Sequence, residues 1–154
     1  MKKIILILLT ACLLINLTGC KGQNKIKDID MDGLIEYMEQ NLTFEDTLSE
    51  LPQDTVSWRY GIETDVEARV FIGSGATSEE FGVFKAPDDK SAEQIYQSMK
   101  SHIEDMSESF SMYLPKETKK LDASYLSQQG RYVIFAVSAD ENTGEIIENY
   151  GKAE

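Results

Sequence analysis

A long amphipathic segment, from Ser91 to Tyr113, constrains the fold of this chain more than any other feature. Its apolar side chains recur every three or four residues, at Ala92, Ile95, Met99, Ile103, Met106, Phe110 and Tyr113. This spacing predicts one α-helix of about six turns, roughly 34 Å long, with a single apolar face. Ser91 and Gln94 have the spacing of a capping box, and Pro115 would end the helix. We expect that face to pack against a sheet.

Two pairs of β-forming segments flank the predicted helix. The first pair, 67–73 and 80–86, is joined by a turn of small residues, and the second pair, 124–128 and 131–138, meets at Gln129-Gly130. Alternating β-formers separated by turn residues are typical of hairpins. A last helix is expected at 143–150, and it would bury Ile146 and Ile147.

The two hairpin-helix units align with each other when the sequence is shifted by 51 residues. The shift places Phe81-Gly82-Val83-Phe84 over Tyr132-Val133-Ile134-Phe135, and Ile95 over Ile146. We therefore predict an α+β fold in the order α-ββα-ββα. It would contain one four-stranded antiparallel sheet with the long helix packed on it.

Strand alternation in these units predicts apolar residues on both faces of the sheet. Val83 and Ile134 should point to one face, and Phe84 and Phe135 to the other. We expect the helices of both units to cover the same face, since each follows its hairpin with the same connection.

The remaining face would then be covered by the N-terminal part of the domain. The segment 31–42 is predicted to be helical, with Asp30 as its cap, and 44–60 is less regular. Leaving phenylalanine-rich surface in water is unfavourable by about 25 cal/mol per Å². Any binding groove is expected at the edge of this cover, near Trp58 and Tyr60.

The first twenty residues have the pattern of an export signal. Lysines 2 and 3 precede an apolar run, 4–15, that is too short to span a bilayer permanently. Leu17-Thr18-Gly19-Cys20 resembles the lipobox of bacterial lipoproteins, in which a diacylglyceryl group is attached to the cysteine sulfur. Two acyl chains, such as palmitate, give stable membrane attachment.

These features predict three parts of the chain. Residues 1–19 would be a lipoprotein signal peptide, 20–27 a tether that Cys20 anchors in the membrane, and 28–154 a single domain. The expected location is extracytoplasmic, at the outer face of the cytoplasmic membrane.

Composition excludes several classes of function for the predicted domain. Cys12 would leave with the signal, so a disulfide and a thiolate metal site are excluded. Residues 28–154 carry all 27 Asp and Glu but only 10 of the 15 Lys and Arg. Nucleic acid is therefore a poor partner on electrostatic grounds.

A calcium site is an alternative that one motif raises. Asp28, Asp30, Asp32 and Glu39 fit the pattern of an EF-hand loop. However, the sequence leaves no room for an entering helix and contains no second such loop, and the predicted helix begins before Gly33. We expect no bound cofactor, and a calcium-dependent surface module stays an alternative.

No recognisable catalytic set is present. His102 is the only histidine, and we interpret it as a partly exposed helix residue. Among 27 carboxylates none stands out as an acid/base couple. A carboxylate-based hydrolase is therefore the last of the three function classes, and we expect no enzymatic activity.

Three motifs, in a fixed order, carry a resemblance to a known family: Glu80-Phe81-Gly82-Val83-Phe84-Lys85, Tyr113-Leu114-Pro115-Lys116-Glu117 and Gly130-Arg131-Tyr132-Val133. Tyr60-Gly61 and Lys120-Leu121 add to it. The chain resembles, over 28–139, the uncharacterised bacterial lipoproteins of domain-of-unknown-function family 4358. The resemblance implies a Gram-positive cell-surface lipoprotein and supplies no activity. We therefore expect a non-enzymatic binding or accessory module of the cell envelope, with a protein, peptide or glycan as its partner.

Overall fold

A single antiparallel sheet with helices on both faces forms the structure, a computed structural model that describes residues 28–152. Its elements are α1 (Met31–Asn41), β1 (Ser49–Glu50), α2 (Gln53–Tyr60), β2 (Glu67–Ile72), β3 (Glu80–Lys85), α3 (Asp89–Tyr113), α4 (Thr118–Asp122), β4 (Tyr125–Gln129), β5 (Tyr132–Val137) and α5 (Thr143–Glu148). A 3₁₀ turn, Pro115–Glu117, joins α3 to α4. The predicted α+β class, with its antiparallel sheet and long helix, is confirmed.

The predicted signal peptide (1–19) and tether (20–27) lie outside the described residues. Within residues 28–152, no helix is long and apolar enough to cross a membrane.

The prediction of four strands is wrong, because a fifth strand lies at the edge of the sheet. The strand order is β1-β2-β3-β5-β4, and Ser49 and Glu50 of β1 pair with Ile72 and Phe71 of β2. A strand of two exposed residues has no hydrophobic alternation, so its sequence gives no signal. The two predicted hairpins, β2–β3 and β4–β5, are both present.

Strand alternation divides the core into two layers, as predicted. Phe81, Val83 and Ile134 pack on one face of the sheet, together with α1, and we call this the α1 face. Phe84 and Phe135 pack on the other face with the buried side chains of α3, and we call this the α3 face. Both faces are therefore apolar and covered.

The helices of the two hairpin units cover opposite faces, so that prediction is wrong. In α3, Ala92, Ile95 and Met99 are buried on the α3 face, whereas Ile147 of α5 is buried on the α1 face. The 25-residue α3 already covers β5 and β4 on its own face, so α5, which also packs against β4, lies on the opposite side of that strand.

The N-terminal part of the domain also divides between the faces. Helix α1 covers the α1 face as predicted, and Asp30 caps it by accepting a hydrogen bond from the Gly33 N–H. The first part of the segment 44–60 continues this cover, since Phe44 and Leu48 pack on the α1 face and the Phe44 ring stacks on Phe81. The chain then passes the sheet edge at β1. Val56 and Tyr60 of α2 are buried on the α3 face. Gly61 ends α2 in the left-handed conformation.

Helix α3 begins two residues earlier than predicted. Its cap is Asp88, whose carboxylate accepts a hydrogen bond from the Ser91 N–H, so Ser91 lies inside the first turn. By His102 the helix has risen about 20 Å, the length of a six-residue strand. Its last eleven residues extend about 16 Å further and overhang the sheet. Tyr113, predicted as core, is consequently 63% exposed.

Gly82 in β3 allows a close approach between strands, which generates a prediction. A Cβ atom there would lie 2.6 Å from the Arg69 carbonyl oxygen and 2.9 Å from Val70 Cγ2. We expect Gly82→Ala to lower the free energy of unfolding, measured in urea, by about 1–3 kcal/mol, because backbone must move.

Gly144→Ala is the matched control for this substitution. There a Cβ atom would meet only the Tyr125 ring, at 3.1 Å, and a side chain can rotate away. The control should be neutral or slightly stabilising, because alanine favours helix. Equal stability of both variants would show that the strands do not approach as closely as described.

Candidate functional site

The overhang of α3 forms the roof of a cleft at one end of the sheet. The cleft has a volume of about 300 Å³ and lies between α3, the turn that joins β2 to β3, and the end of α2. Its lining residues are Arg59, Ile72, Gly73, Gly75, Thr77, Ser78, Glu79, Glu80, His102, Asp105, Met106, Ser109, Phe110 and Tyr113. The cleft exists because the helix is longer than the strands beneath it.

A buried carboxylate, that of Glu80, organises the inner wall of the cleft. Glu80 is 2% exposed, and its Oε1 accepts a hydrogen bond from His102 Nε2 at 2.6 Å. Its Oε2 accepts one from the Tyr60 hydroxyl at 3.4 Å and lies 3.5 Å from the Arg59 guanidinium. A buried charge costs several kcal/mol unless it is paired, and here three donors surround it.

Tyr60 is held by packing as well as by this hydrogen bond. Its ring packs edge-on against Phe84 and His102, with centroids 5.7 and 4.8 Å apart. Burial, and secondly the negative charge of Glu80, raise the pKa of Tyr60. The hydroxyl therefore stays protonated and remains a donor to Glu80.

Glu79, the residue before Glu80, forms its hydrogen bonds on the opposite side of the sheet. Its carboxylate accepts hydrogen bonds from the backbone N–H groups of Glu45 and Asp46 at 2.8–3.0 Å. It also accepts one from Lys120 Nζ at 2.9 Å. Glu79 thus ties the loop after α1 to the start of β3.

Lys120 brings three carboxylates together behind the cleft. Its Nζ lies 2.8 Å from Glu45 Oε2, 2.9 Å from Glu79 Oε1 and 3.2 Å from Glu117 Oε2. Burial by itself would lower the pKa of Lys120, but the hydrogen bonds to these three carboxylates raise it. The ammonium group is therefore charged and acts as the fixed counter-ion of the cluster.

Glu117 fixes the position of Ser78, the residue before Glu79. Its Oε2 accepts hydrogen bonds from the Ser78 N–H and hydroxyl at 3.0 and 3.1 Å. Burial opposes its ionisation, but the bonds from Ser78 and Lys120 outweigh it and lower the pKa of Glu117. Its other oxygen accepts no hydrogen bond within residues 28–152, and Lys116 Nζ lies 3.8 Å from the carboxylate.

Asp46 holds the β2–β3 turn that forms the floor of the cleft. Its carboxylate accepts hydrogen bonds from the N–H and the hydroxyl of Ser74, both at 2.7 Å, and from the Thr77 hydroxyl at 3.4 Å. Gly75 has a φ of 88° and nothing within 4 Å of its missing Cβ, so the top of the turn is open. The floor is fixed, but it remains accessible.

The two residues predicted near a binding groove lie in different environments. Tyr60 is 4% exposed and lies behind Glu80 in the inner wall. Trp58 is 83% exposed and does not line the cleft. Arg59, between them in the sequence, is the residue of this segment that reaches the cleft.

The four residues of the alternative calcium loop do not converge. Asp28 accepts hydrogen bonds from Tyr132 and Arg131, and Asp32 pairs with Arg69. Asp30 caps α1, so 31–41 is helical and Glu39 lies on the helix. Within residues 28–152, no three His, Cys, Asp or Glu side chains are arranged to hold a metal ion.

His102 is a partly exposed helix residue, as interpreted from the sequence, and its ring lies against the Glu80 carboxylate. The carboxylates of Glu79 and Glu80 are engaged with separate donors, Glu79 with Lys120 and two backbone N–H groups and Glu80 with Tyr60 and His102. No hydroxyl group within residues 28–152 is hydrogen bonded to the His102 ring. The predicted lipidation site, Cys20, lies outside the described residues.

Sequence reasoning missed the buried ionic groups Glu79, Glu80, Glu117 and Lys120. One signal was available: two acidic residues directly precede the run 81–84, which contains only apolar residues and glycine. Charged residues at the start of a central strand must find partners when they are buried. The partners of Glu79 and Glu80 are 20 to 41 residues away in sequence, so periodicity could not identify them.

A second groove, of about 880 Å³, lies on the α1 face between α1, β4 and α5. Its charged lining residues, Asp28, Asp30, Glu148 and Lys152, are all exposed. It is larger than the cleft, but it contains no buried ionic group that would orient a ligand. The cleft is therefore the better candidate site.

The Lys120 cluster generates a prediction about stability. Lys120→Met removes the counter-ion of two fully buried carboxylates, Glu79 and Glu117. We expect the free energy of unfolding in urea to fall by about 3–5 kcal/mol, because buried charges are left uncompensated. Lys119→Met, at the exposed neighbouring position, should change it by less than about 0.5 kcal/mol. Similar values for both variants would contradict the cluster.

Comparisons with known proteins identify a family and nothing more specific. No curated protein and no solved structure matches the chain. The family model described as Domain of unknown function (DUF4358) matches residues 40–138. This range contains every residue of the cleft and of the Lys120 cluster. The predicted family is confirmed, and the chain belongs to the family of the domain of unknown function DUF4358.

Proposed function

We propose that this protein is a lipid-anchored, non-enzymatic binding module that presents the cleft away from the membrane. Cys20 would carry the diacylglyceryl anchor, and the domain would lie at the outer face of the cytoplasmic membrane. The observation that carries the proposal is that the cleft and the start of the domain lie at opposite ends of the sheet.

The register of the central strands supports this orientation. Asp28 accepts a hydrogen bond from the Tyr132 hydroxyl at 2.6 Å, and Tyr132 pairs with Lys85 at the last position of β3. Glu80, in the cleft, is at the first position of β3 and pairs with Val137. The two ends of β3 are about 17 Å apart.

This separation matters because the predicted tether is short. Residues 20–27 can span at most about 28 Å when fully extended. A domain held so close to a membrane has one side hidden by the lipid surface. A binding site at the far end of the sheet stays open to the envelope.

A binding role also fits the chemistry of the cleft better than catalysis. The His102 Nε2 and both oxygens of Glu80 are committed to each other, to Tyr60 and to Arg59. Groups whose hydrogen-bonding atoms are already paired in this way stabilise the shape of the surface. The open positions are instead the polar and apolar side chains along α3, which can contact a ligand.

Labelling of single cysteines tests the proposal, because the only other cysteines are Cys12, in the predicted signal, and Cys20. Ser109→Cys places a thiol in the cleft, and Gln129→Cys places one at the opposite end of the sheet. A membrane-impermeant maleimide should label both variants in intact cells. Reaction only after lysis would contradict the outer-face location.

The same two variants test the orientation. The lipidated proteins, reconstituted in vesicles that contain quencher lipids, should show stronger quenching of a fluorophore at residue 129 than at residue 109. Cys20→Ala, which lacks the anchor, should show no quenching at either position. Equal or reversed quenching in the anchored proteins would overturn the outward-facing cleft.

A further inference from the structure

The roof of the cleft, formed by α3, carries polar groups without hydrogen-bond partners in residues 28–152, and these lie beside an apolar surface. One stripe of α3 lines this side of the cleft: His102 is followed one turn later by Asp105 and Met106, and a further turn later by Ser109 and Phe110. Asp105 is exposed and forms no ion pair within residues 28–152. In the part of the chain that the structure describes, its carboxylate also accepts no hydrogen bond.

From this arrangement we propose that the cleft binds a lysine side chain of a peptide partner. Its ammonium group would meet Asp105 and the Ser109 hydroxyl, and its methylene groups would lie against Met106 and Ile72. The inference rests on the proposed function and names the ligand class of that site.

The charges around the cleft favour a cation over an anion. The carboxylates of Glu80 and Glu79 each have a cationic partner, the Arg59 guanidinium at 3.5 Å and Lys120 Nζ at 2.9 Å. These pairings leave Asp105 as the unbalanced charge of the lining. An anion at Arg59 would lie beside the carboxylate of Glu80, 3.5 Å from the guanidinium.

The whole chain adds to this local preference. Its net charge is −12, so its long-range field attracts cations and repels anions. Arg59 is also engaged on a second side, since its guanidinium lies 5.6 Å from the centroid of the Tyr60 ring. The arginine is therefore a fixed part of the wall rather than a free anion receptor.

The shape of the cleft suits an extended chain with a charged end. Its volume, about 300 Å³, is in the lower range of small-ligand sites. The apolar part of the lining is formed by Ile72 from β2 and by Met106 and Phe110 from α3. An alkyl chain can lie between these two elements while its ammonium group remains at the rim, beside Asp105.

Nuclear magnetic resonance titration of the full-length protein with Nα-acetyl-L-lysine methylamide tests this inference. We expect saturable shifts of the Asp105, Met106 and Ser109 signals. The norleucine analogue, which keeps the alkyl chain, and the Nε-acetylated analogue, which loses the charge, should bind about tenfold more weakly, as expected for loss of a charged hydrogen bond.

Substitution of the carboxylate provides a matched pair of variants. Asp105→Asn should weaken binding of the lysine probe about tenfold, whereas Asp122→Asn, at an exposed position outside the cleft, should leave it unchanged. Circular dichroism checks that both variants are folded. Equal binding to wild type and to Asp105→Asn would overturn the role of Asp105.

The other outcomes also decide the inference. Equal binding of the norleucine analogue would show an apolar site, and equal or tighter binding of glucosamine would show a saccharide amine; either overturns the assignment to a peptide lysine. Absence of any shift overturns it as well. None of these results changes the labelling and quenching outcomes, so failure of this inference is distinguishable from failure of the proposed function.

Discussion

The burial of three consecutive polar residues, Ser78-Glu79-Glu80, is the constraint on which the rest of the structure depends. Strand alternation sends the two carboxylates to opposite faces, so each face must supply its own donors. Glu80 accepts hydrogen bonds from His102 and Tyr60 and pairs with Arg59. Glu79 accepts hydrogen bonds from Lys120 and from two backbone N–H groups. Buried charges without such donors would destabilise the fold by several kcal/mol.

These donors come from segments that are far apart in sequence, and the carboxylates thereby fix their relative positions. The loop after α1 is tied to Glu79, the end of α2 to Glu80, and the middle of α3 to Glu80 through His102. The overhanging end of α3 is supported separately, by Phe110 packing with Leu121 and Val137. These contacts thus frame the cleft, and its open groups, Asp105 and Ser109, lie on the part of α3 beyond His102.

Much of the fold could be predicted from the sequence, because periodicity reports local structure. The two hairpins, the long helix and the opposite facing of Val83 and Phe84 all follow from alternation or from helical spacing. The position of α5 could not be predicted, since it depends on the space that α3 occupies. The two residues of β1 are too few to carry a pattern.

The candidate site was harder to predict for a different reason. Hydropathy assigns carboxylates to the surface, and only the three-dimensional arrangement shows that Glu79 and Glu80 are buried among donors. Tyr60 was predicted near a groove because it lies at the edge of the predicted N-terminal cover, but its role as a donor to Glu80 depends on a contact across 20 residues. His102 was interpreted from its helix alone, and that helix does not reveal the acid beneath it.

Native-state hydrogen exchange tests the central claim, that buried carboxylates hold this end of the sheet. The N–H groups of Glu45, Asp46 and Ser78 lie in loops but donate to Glu79 or Glu117. Their opening free energies should lie within about 1–2 kcal/mol of that of Phe84 in β3, since they are released only when the sheet end unfolds. Exchange as fast as that of Gly75, at the open top of the turn, would contradict the account.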